Sequence, residues 1–208
     1  MYVPRLSRST GEAFRTCLSE ALSMLLAVTI PAAVGLWLVA EDLTLVLFGQ
    51  DFLPAAKVLR ILSPLVLIRG CGDLLCYQAI ICAGKEKWLI GARIWAGFAN
   101  ICLNGLLIPR FGFAGAAFAS LVSEGVVNGI LLIKSRKIAV PNLSGKWLLR
   151  IGSGTAVMAA AVLVIQSAAS SPLLSLGLSV GLGAGMYAII LGYRNTKTGR
   201  KKDHGTEK

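Results

Sequence analysis

Charge is what this sequence has least of. Only 15% of its 208 residues are Asp, Glu, Lys or Arg, against about 25% in soluble domains. The single histidine, His204, lies in the last five residues, which leaves histidine-dependent acid–base chemistry without its usual group. The five cysteines, at 17, 71, 76, 82 and 102, are odd in number and form no CxxC pair; they read as small buried hydrophobes rather than metal ligands or a disulfide framework. No phosphate-binding glycine loop, metal-ligand cluster or nucleophile–base pair is present. No inter-run segment is long enough for a soluble domain, and the longest basic one covers 134–146. An enzyme and an ATP-driven pump are therefore poor readings, and no cofactor is expected beyond a possible coupling ion, H+ or Na+.

What the chain has instead is apolar length. The hydrophobic fraction is 55% and the mean hydropathy +0.72. Six runs, 20–40, 58–83, 88–108, 112–133, 147–168 and 173–193, each approach the roughly 20 residues a helix needs to cross a bilayer. They lack the period-2 alternation of barrel strands, and hydrocarbon otherwise accepts only helices. The expected fold is all-α: a polytopic membrane protein of about six transmembrane helices in one bundle. Residues 1–19 read as an amphipathic cytoplasmic segment, without the apolar core of a cleavable signal. Residues 194–208 read as a disordered basic tail.

The net charge of +11 is distributed in a way that points to a membrane rather than to nucleic acid. Arg5, Arg8 and Arg15 precede the first run. Lys85 and Lys87 lie in the third gap; Lys134, Arg136, Lys137 and Lys146 surround the fifth; six more basic residues follow 193. The intervening gaps hold Glu41, Asp42 and Asp51 with Lys57 at the far end, a lone Arg110, or no charge. The positive-inside rule then places both termini in the cytoplasm. Trp37, Trp88, Trp147, Tyr187 and Tyr193 fall towards run ends and suit interfacial anchoring.

Charges within the runs carry the functional signal, because Arg or Asp at a helix centre costs about 2.5–3.5 kcal/mol on insertion scales. Arg69 and Asp73, four apart on one helix face, and Glu124 in the fourth run should face a bundle interior or a watery cavity. Either they line a transport cavity, with Arg69 meeting an anionic group such as phosphate and Glu124 or Asp73 taking up a proton or cation or holding Arg69 in place, or Arg69 and Asp73 form a structural pair with Glu124 bonded to a neighbouring helix. Asn100 and Asn104 add a polar face to the third run. Arg60 and Arg93, nearer run ends, are expected to snorkel to the interface. Gly112 and Gly115, and Gly177, Gly181 and Gly185, form small-residue faces suited to close helix packing.

Several short segments also have a recognisable order: Pro4-Arg5-Leu6-Ser7-Arg8, Ile30-Pro31-Ala32-Ala33-Val34-Gly35-Leu36, Leu47-Phe48-Gly49-Gln50-Asp51-Phe52 and Ala55-Ala56-Lys57-Val58-Leu59-Arg60-Ile61-Leu62. Asn100, Asn104, Ile108-Pro109-Arg110-Phe111-Gly112, Gly115-Ala116-Ala117 and Ser123-Glu124 follow. Over residues 4–133 this resembles the C-terminal half of a bacterial polysaccharide transporter, the Wzx-like O-antigen and capsule flippase group, within the superfamily that includes multidrug exporters and lipid II flippases. The resemblance implies flipping of an undecaprenyl-pyrophosphate-linked oligosaccharide across the bacterial cytoplasmic membrane by alternating access. It also implies a fragment or half-transporter, because such proteins have roughly twelve to fourteen spans in two bundles. A second bundle of six to eight spans, or a homo-oligomer, is the expected partner, with membrane lipid and lipid-linked oligosaccharide and no nucleic acid. The alternatives are a MATE-like cation or drug antiporter half and a non-transporting membrane interaction protein.

Overall fold

The computed structural model describes residues 12–74, 79–82, 84–135, 144–169 and 171–203. Residues 4–8, Cys76, Gln78, Arg136, Lys137 and His204 lie outside them. Among the described residues all regular structure is helical.

The first helix, α1 (Glu12–Phe48), is a single rod of 37 residues. At 1.5 Å per residue this is about 55 Å, well beyond the roughly 30 Å hydrocarbon core. The surface segment expected before residue 20 is thus, from Glu12 onwards, the same helix as the first span. Pro31 sits inside it and deprives the Ala27 carbonyl of its intrahelical donor. The Tyr187 hydroxyl supplies the replacement, donating to that carbonyl at 2.7 Å. Tyr187 is buried, so it is a bond across the bundle and not the interfacial anchor its place near a run end suggests. The helix stops at Gly49, whose φ of 83° lies in the region glycine favours. A short 3-10 turn, Gln50–Phe52, follows.

Helix α2 (Pro54–Gly72) opens on Pro54, where the missing N–H has no partner to lose. Pro64 frees the Arg60 carbonyl, and the Ser63 hydroxyl donates to it at 3.0 Å. Of the expected span 58–83, residues 58–74 and 79–82 are described. The backbone widens to π-helical at Asp73 and Leu74, and a short α3 (Ala79–Cys82) resumes beyond.

Helices α4 (Lys87–Phe111) and α5 (Phe113–Ser135) form the tight hairpin the sequence suggested. Gly112 turns it with a φ of 55°, so its role is the turn rather than a packing face. Gly115 allows the closest approach: a Cβ there would stand 2.4 Å from the Leu107 carbonyl oxygen. Helix α6 (Gly145–Ala168) and helix α7 (Pro172–Asp203) complete the set. Helix α7 is traced through Arg194 to Asp203.

Among the described residues, four helices are long and apolar enough to cross a membrane, over 16–48, 87–111, 113–134 and 145–168. Lys57, Arg60 and Arg69 interrupt α2, and the apolar stretch of α7 among the residues searched is Pro172–Tyr187. The helices pack in the order α4, α5, α2, α1, with α6 and α7 paired on each other and on the far side of α1. Most of the core lies at the end where α1, α4 and α6 begin and α5 finishes, around Leu18, Leu22, Leu89, Leu131 and Ile151. A smaller cluster of Leu38, Val39 and Val162 joins α1 to α6 further along. Large apolar side chains face outwards in numbers no soluble monomer sustains; Trp95, Phe98 and Ile101 on α4 are all more than 60% exposed.

The glycines of α7 depart from expectation. Gly177, Gly181 and Gly185 have no neighbour within 4 Å of a Cβ position, whereas Gly183 faces Val162 and Met158 of α6. Among the described residues the 177–181–185 stripe therefore packs nothing. At Gly72 a Cβ would fall 1.7 Å from Oδ1 of Asn128, pinning the end of α2 to α5. Gly72→Ala is accordingly expected to lower the unfolding midpoint in detergent, at an overpacking cost of about 1–3 kcal/mol. Gly181→Ala should leave that midpoint unchanged or raise it. Equal effects of the two substitutions would contradict this packing.

Candidate functional site: a charged cluster at membrane depth

Glu124 sits at the middle of α5. Two local bonds set its turn: the Ser123 hydroxyl donates to the Ala119 carbonyl at 2.7 Å, and the Asn128 side-chain amide donates to the Glu124 carbonyl at 2.9 Å. The side chain is 18% exposed, and its Oε1 is shared by two guanidiniums. Arg93 of α4 donates through Nη1 at 3.2 Å, and Nε of Arg69 on α2 lies at 3.7 Å. Three helices thus meet at one carboxylate. The other oxygen, Oε2, is buried and has no hydrogen-bond partner among the described residues.

The expected membership changes accordingly. Arg93 does not snorkel; it turns inwards to Glu124. The partner of Arg69 is Glu124 on a neighbouring helix, not Asp73 one turn away. Asp73 is exposed and makes no ion pair among the described residues, although it marks the π-widened turn. Arg60 behaves as an end-of-helix residue, paired with Glu41 at 3.0 Å and stacked 5.5 Å from the Trp37 ring centroid.

Beside the cluster lies a cavity of about 260 Å³, lined by Arg93, Gly97, Asn100, Ser120, Ser123 and Glu124 among others. It climbs α4 and α5 from the charges towards the Gly112 turn. Asn104, one turn beyond Asn100, donates to its Oδ1 at 2.9 Å, extending the polar strip. Four of the five candidate cavity residues, Arg69, Glu124, Asn100 and Asn104, thus form one continuous feature with Arg93 as its unforeseen fifth member. One carboxylate between two guanidiniums leaves a net positive charge, and guanidiniums at membrane depth call for a further anion or for water. No group of three His, Cys, Asp or Glu suited to a metal occurs among the described residues.

A second cavity, about 620 Å³, lies between α1, α6 and α7. Its walls are apolar except for Ser179 and Tyr187; Val28, Pro31, Leu36, Val162 and Leu176 supply much of the surface. Near its α6–α7 end is a polar clamp that sequence reasoning missed. The Asp42 carboxylate accepts from the Ser175 hydroxyl at 2.5 Å and from the Gln166 amide at 3.4 Å, and Gln166 also donates to the Leu38 carbonyl at 3.0 Å. Gln166, a lone amide in an apolar run, was the available signal. Removing the clamp by Asp42→Ala should cost about 1–3 kcal/mol and loosen α7 from α1, measured as faster hydrogen exchange at the start of α7; unchanged exchange would show that the clamp contributes nothing.

No protein-family model matches the chain. Over 131 residues, 62% of its length, it is 31% identical to the probable flippase AglR of Haloferax volcanii, of which the match covers 27%. Its backbone superposes on the lipid II flippase MurJ in an inward closed conformation with a TM-score of 0.78 at 19% identity, over 94% of this chain and 42% of that one. The chain therefore spans less than half the length of either. The first is named a probable flippase and the second a lipid II flippase. The chain is a multi-pass membrane protein whose helical bundle has the fold of part of a lipid flippase.

Proposed function

We propose that this chain is the second bundle of a transporter that flips an undecaprenyl-pyrophosphate-linked oligosaccharide across the bacterial cytoplasmic membrane, as in the export of O-antigen or capsule precursors. The observation that carries the reading is the pair of guanidiniums, Arg69 and Arg93, held at membrane depth by Glu124 beside a polar cavity. Arginine forks suit phosphate oxygens. The asparagine and serine strip along α4 and α5 suits sugar hydroxyls, and the apolar cavity between α1, α6 and α7 suits the hydrocarbon chain of the same molecule. Two guanidiniums at one carboxylate suit an anionic cargo better than a cationic drug. Both termini lie in the cytoplasm on this reading. Substrate sites of such transporters lie between two bundles, so a bundle of six to eight further spans completes the cavity. Movement is driven by a proton or sodium gradient.

The test is complementation. The chain joined to an N-terminal flippase bundle should restore surface polysaccharide to a flippase-null cell, and the Arg69→Gln, Arg93→Gln form should not. Restoration by both forms would remove the arginine site from the account. Resistance to a cationic dye without polysaccharide would favour a multidrug exporter half.

A further inference from the structure

Glu124 occupies the position an anionic cargo would need. Its Oε1 is within 3.7 Å of both guanidiniums, and its carboxylate borders the cavity into which Arg93 also faces. A phosphate oxygen reaching either arginine competes for the same N–H donors. From this we infer that Glu124 is an internal placeholder anion: it neutralises the arginines while the cavity is empty, and the diphosphate of the cargo displaces it. This rests on the reading of Arg69 and Arg93 as the diphosphate site and adds a role for the carboxylate between them.

The exchange has a structural consequence. Arg69–Glu124 ties α2 to α5 one turn before Gly72, where Asn128 of α5 presses against the end of α2. Immediately beyond, α2 loosens into the π-widened turn at Asp73 and Leu74, a kind of irregularity that recurs at functional sites. Displacing Glu124 therefore removes the ion pair between α2 and α5 next to the turn best able to absorb a change in the direction of α2. Arrival of cargo and movement of α2 become one event. The carboxylate also keeps the empty arginines from holding cargo too tightly, because each release of diphosphate is repaid by an ion pair.

Competition of this kind is reciprocal, and coupling between sites is typically about 5–150-fold in affinity. The probe is a soluble diphosphate diester, P1,P2-dimethyl diphosphate, titrated by calorimetry into the chain joined to an N-terminal flippase bundle and held in nanodiscs. Glu124→Gln retains an amide oxygen for Arg93 but no charge. It should bind the probe at least about 5-fold more tightly than the unaltered chain. Spin labels at Val66 on α2 and Val126 on α5, both exposed, should move apart when the probe binds the unaltered chain and should start apart in Glu124→Gln. Glu124→Asp, which draws the carboxylate back by one methylene, serves where Glu124→Gln does not fold and should also bind more tightly than the unaltered chain. Equal or weaker binding by a folded Glu124 variant, or an unchanged label distance, overturns the placeholder while leaving the arginine site standing. Absence of probe binding in all folded forms overturns both.

Discussion

Arg93→Leu is expected to abolish recognition of a diphosphate lipid. The substitution removes the shorter of the two contacts to Glu124, 3.2 Å, and one of the two forks offered to cargo. Truncating one member of a hydrogen-bonded charge pair at a binding site costs about 2–5 kcal/mol, which is about 30-fold or more in affinity. The carboxylate is also left to Arg69 alone at 3.7 Å, so the site loses its net positive charge. Arg93→Lys keeps the charge without the planar fork and should recover part of the loss. Lipid diphosphate binding measured by native mass spectrometry separates the three forms. Binding by Arg93→Leu at the level of the unaltered chain would mean that Arg93 is a structural partner of Glu124 and nothing more.

Gly115→Val is expected to unfold or splay the α4–α5 hairpin. The obstacle is backbone, not a side chain that can swing away: the Cβ would lie 2.4 Å from the Leu107 oxygen and 2.7 Å from its carbonyl carbon. Overpacking a close-packed site costs about 1–3 kcal/mol, occasionally more, and valine adds two methyls beyond that Cβ. The damage should reach the charged cluster, because Arg93 and Glu124 sit on the two arms of this hairpin. Thermal unfolding in detergent should show a lower midpoint, and the loss should exceed that of Gly72→Ala, where the obstructing Asn128 is a side chain. A midpoint equal to that of the unaltered chain would contradict the close approach.

The membrane architecture was legible in the sequence because lipid imposes it: runs of fixed length and internal backbone bonding leave little choice. The hairpin at Pro109–Gly112 was legible for a local reason, since a proline and a glycine together punctuate a helix. The charges at membrane depth were identified, and Glu124 stood beside Asp73 as a group able to hold Arg69, but the choice between the two was open. Arg69 and Asp73 have the spacing of a helix-face pair, and nothing in one sequence says that a carboxylate 55 positions later lies nearer. Arg93 was misjudged because distance from a run end is a one-dimensional measure, whereas its side chain follows the packing of α4 on α5. The glycine stripe of α7 had the right spacing for a seam, yet spacing does not state which face a neighbour occupies. The π-widened turn at Asp73 and Leu74 was hidden because the local sequence after Gly72 remains apolar. Pro31 signalled a freed carbonyl, but only the folded chain brings Tyr187 to it.

Retention of undecaprenyl diphosphate against undecaprenol tests the central claim most directly, with the unaltered chain and the Arg69→Gln, Arg93→Gln form compared in the same lipid mixture. The two lipids share a hydrocarbon tail and differ in the anionic head, so the apolar cavity contributes equally to both. The account predicts that the unaltered chain retains the diphosphate in clear preference to the alcohol and that the double variant, still folded, retains both alike. An equal preference in both proteins, or none in the unaltered chain, would contradict it.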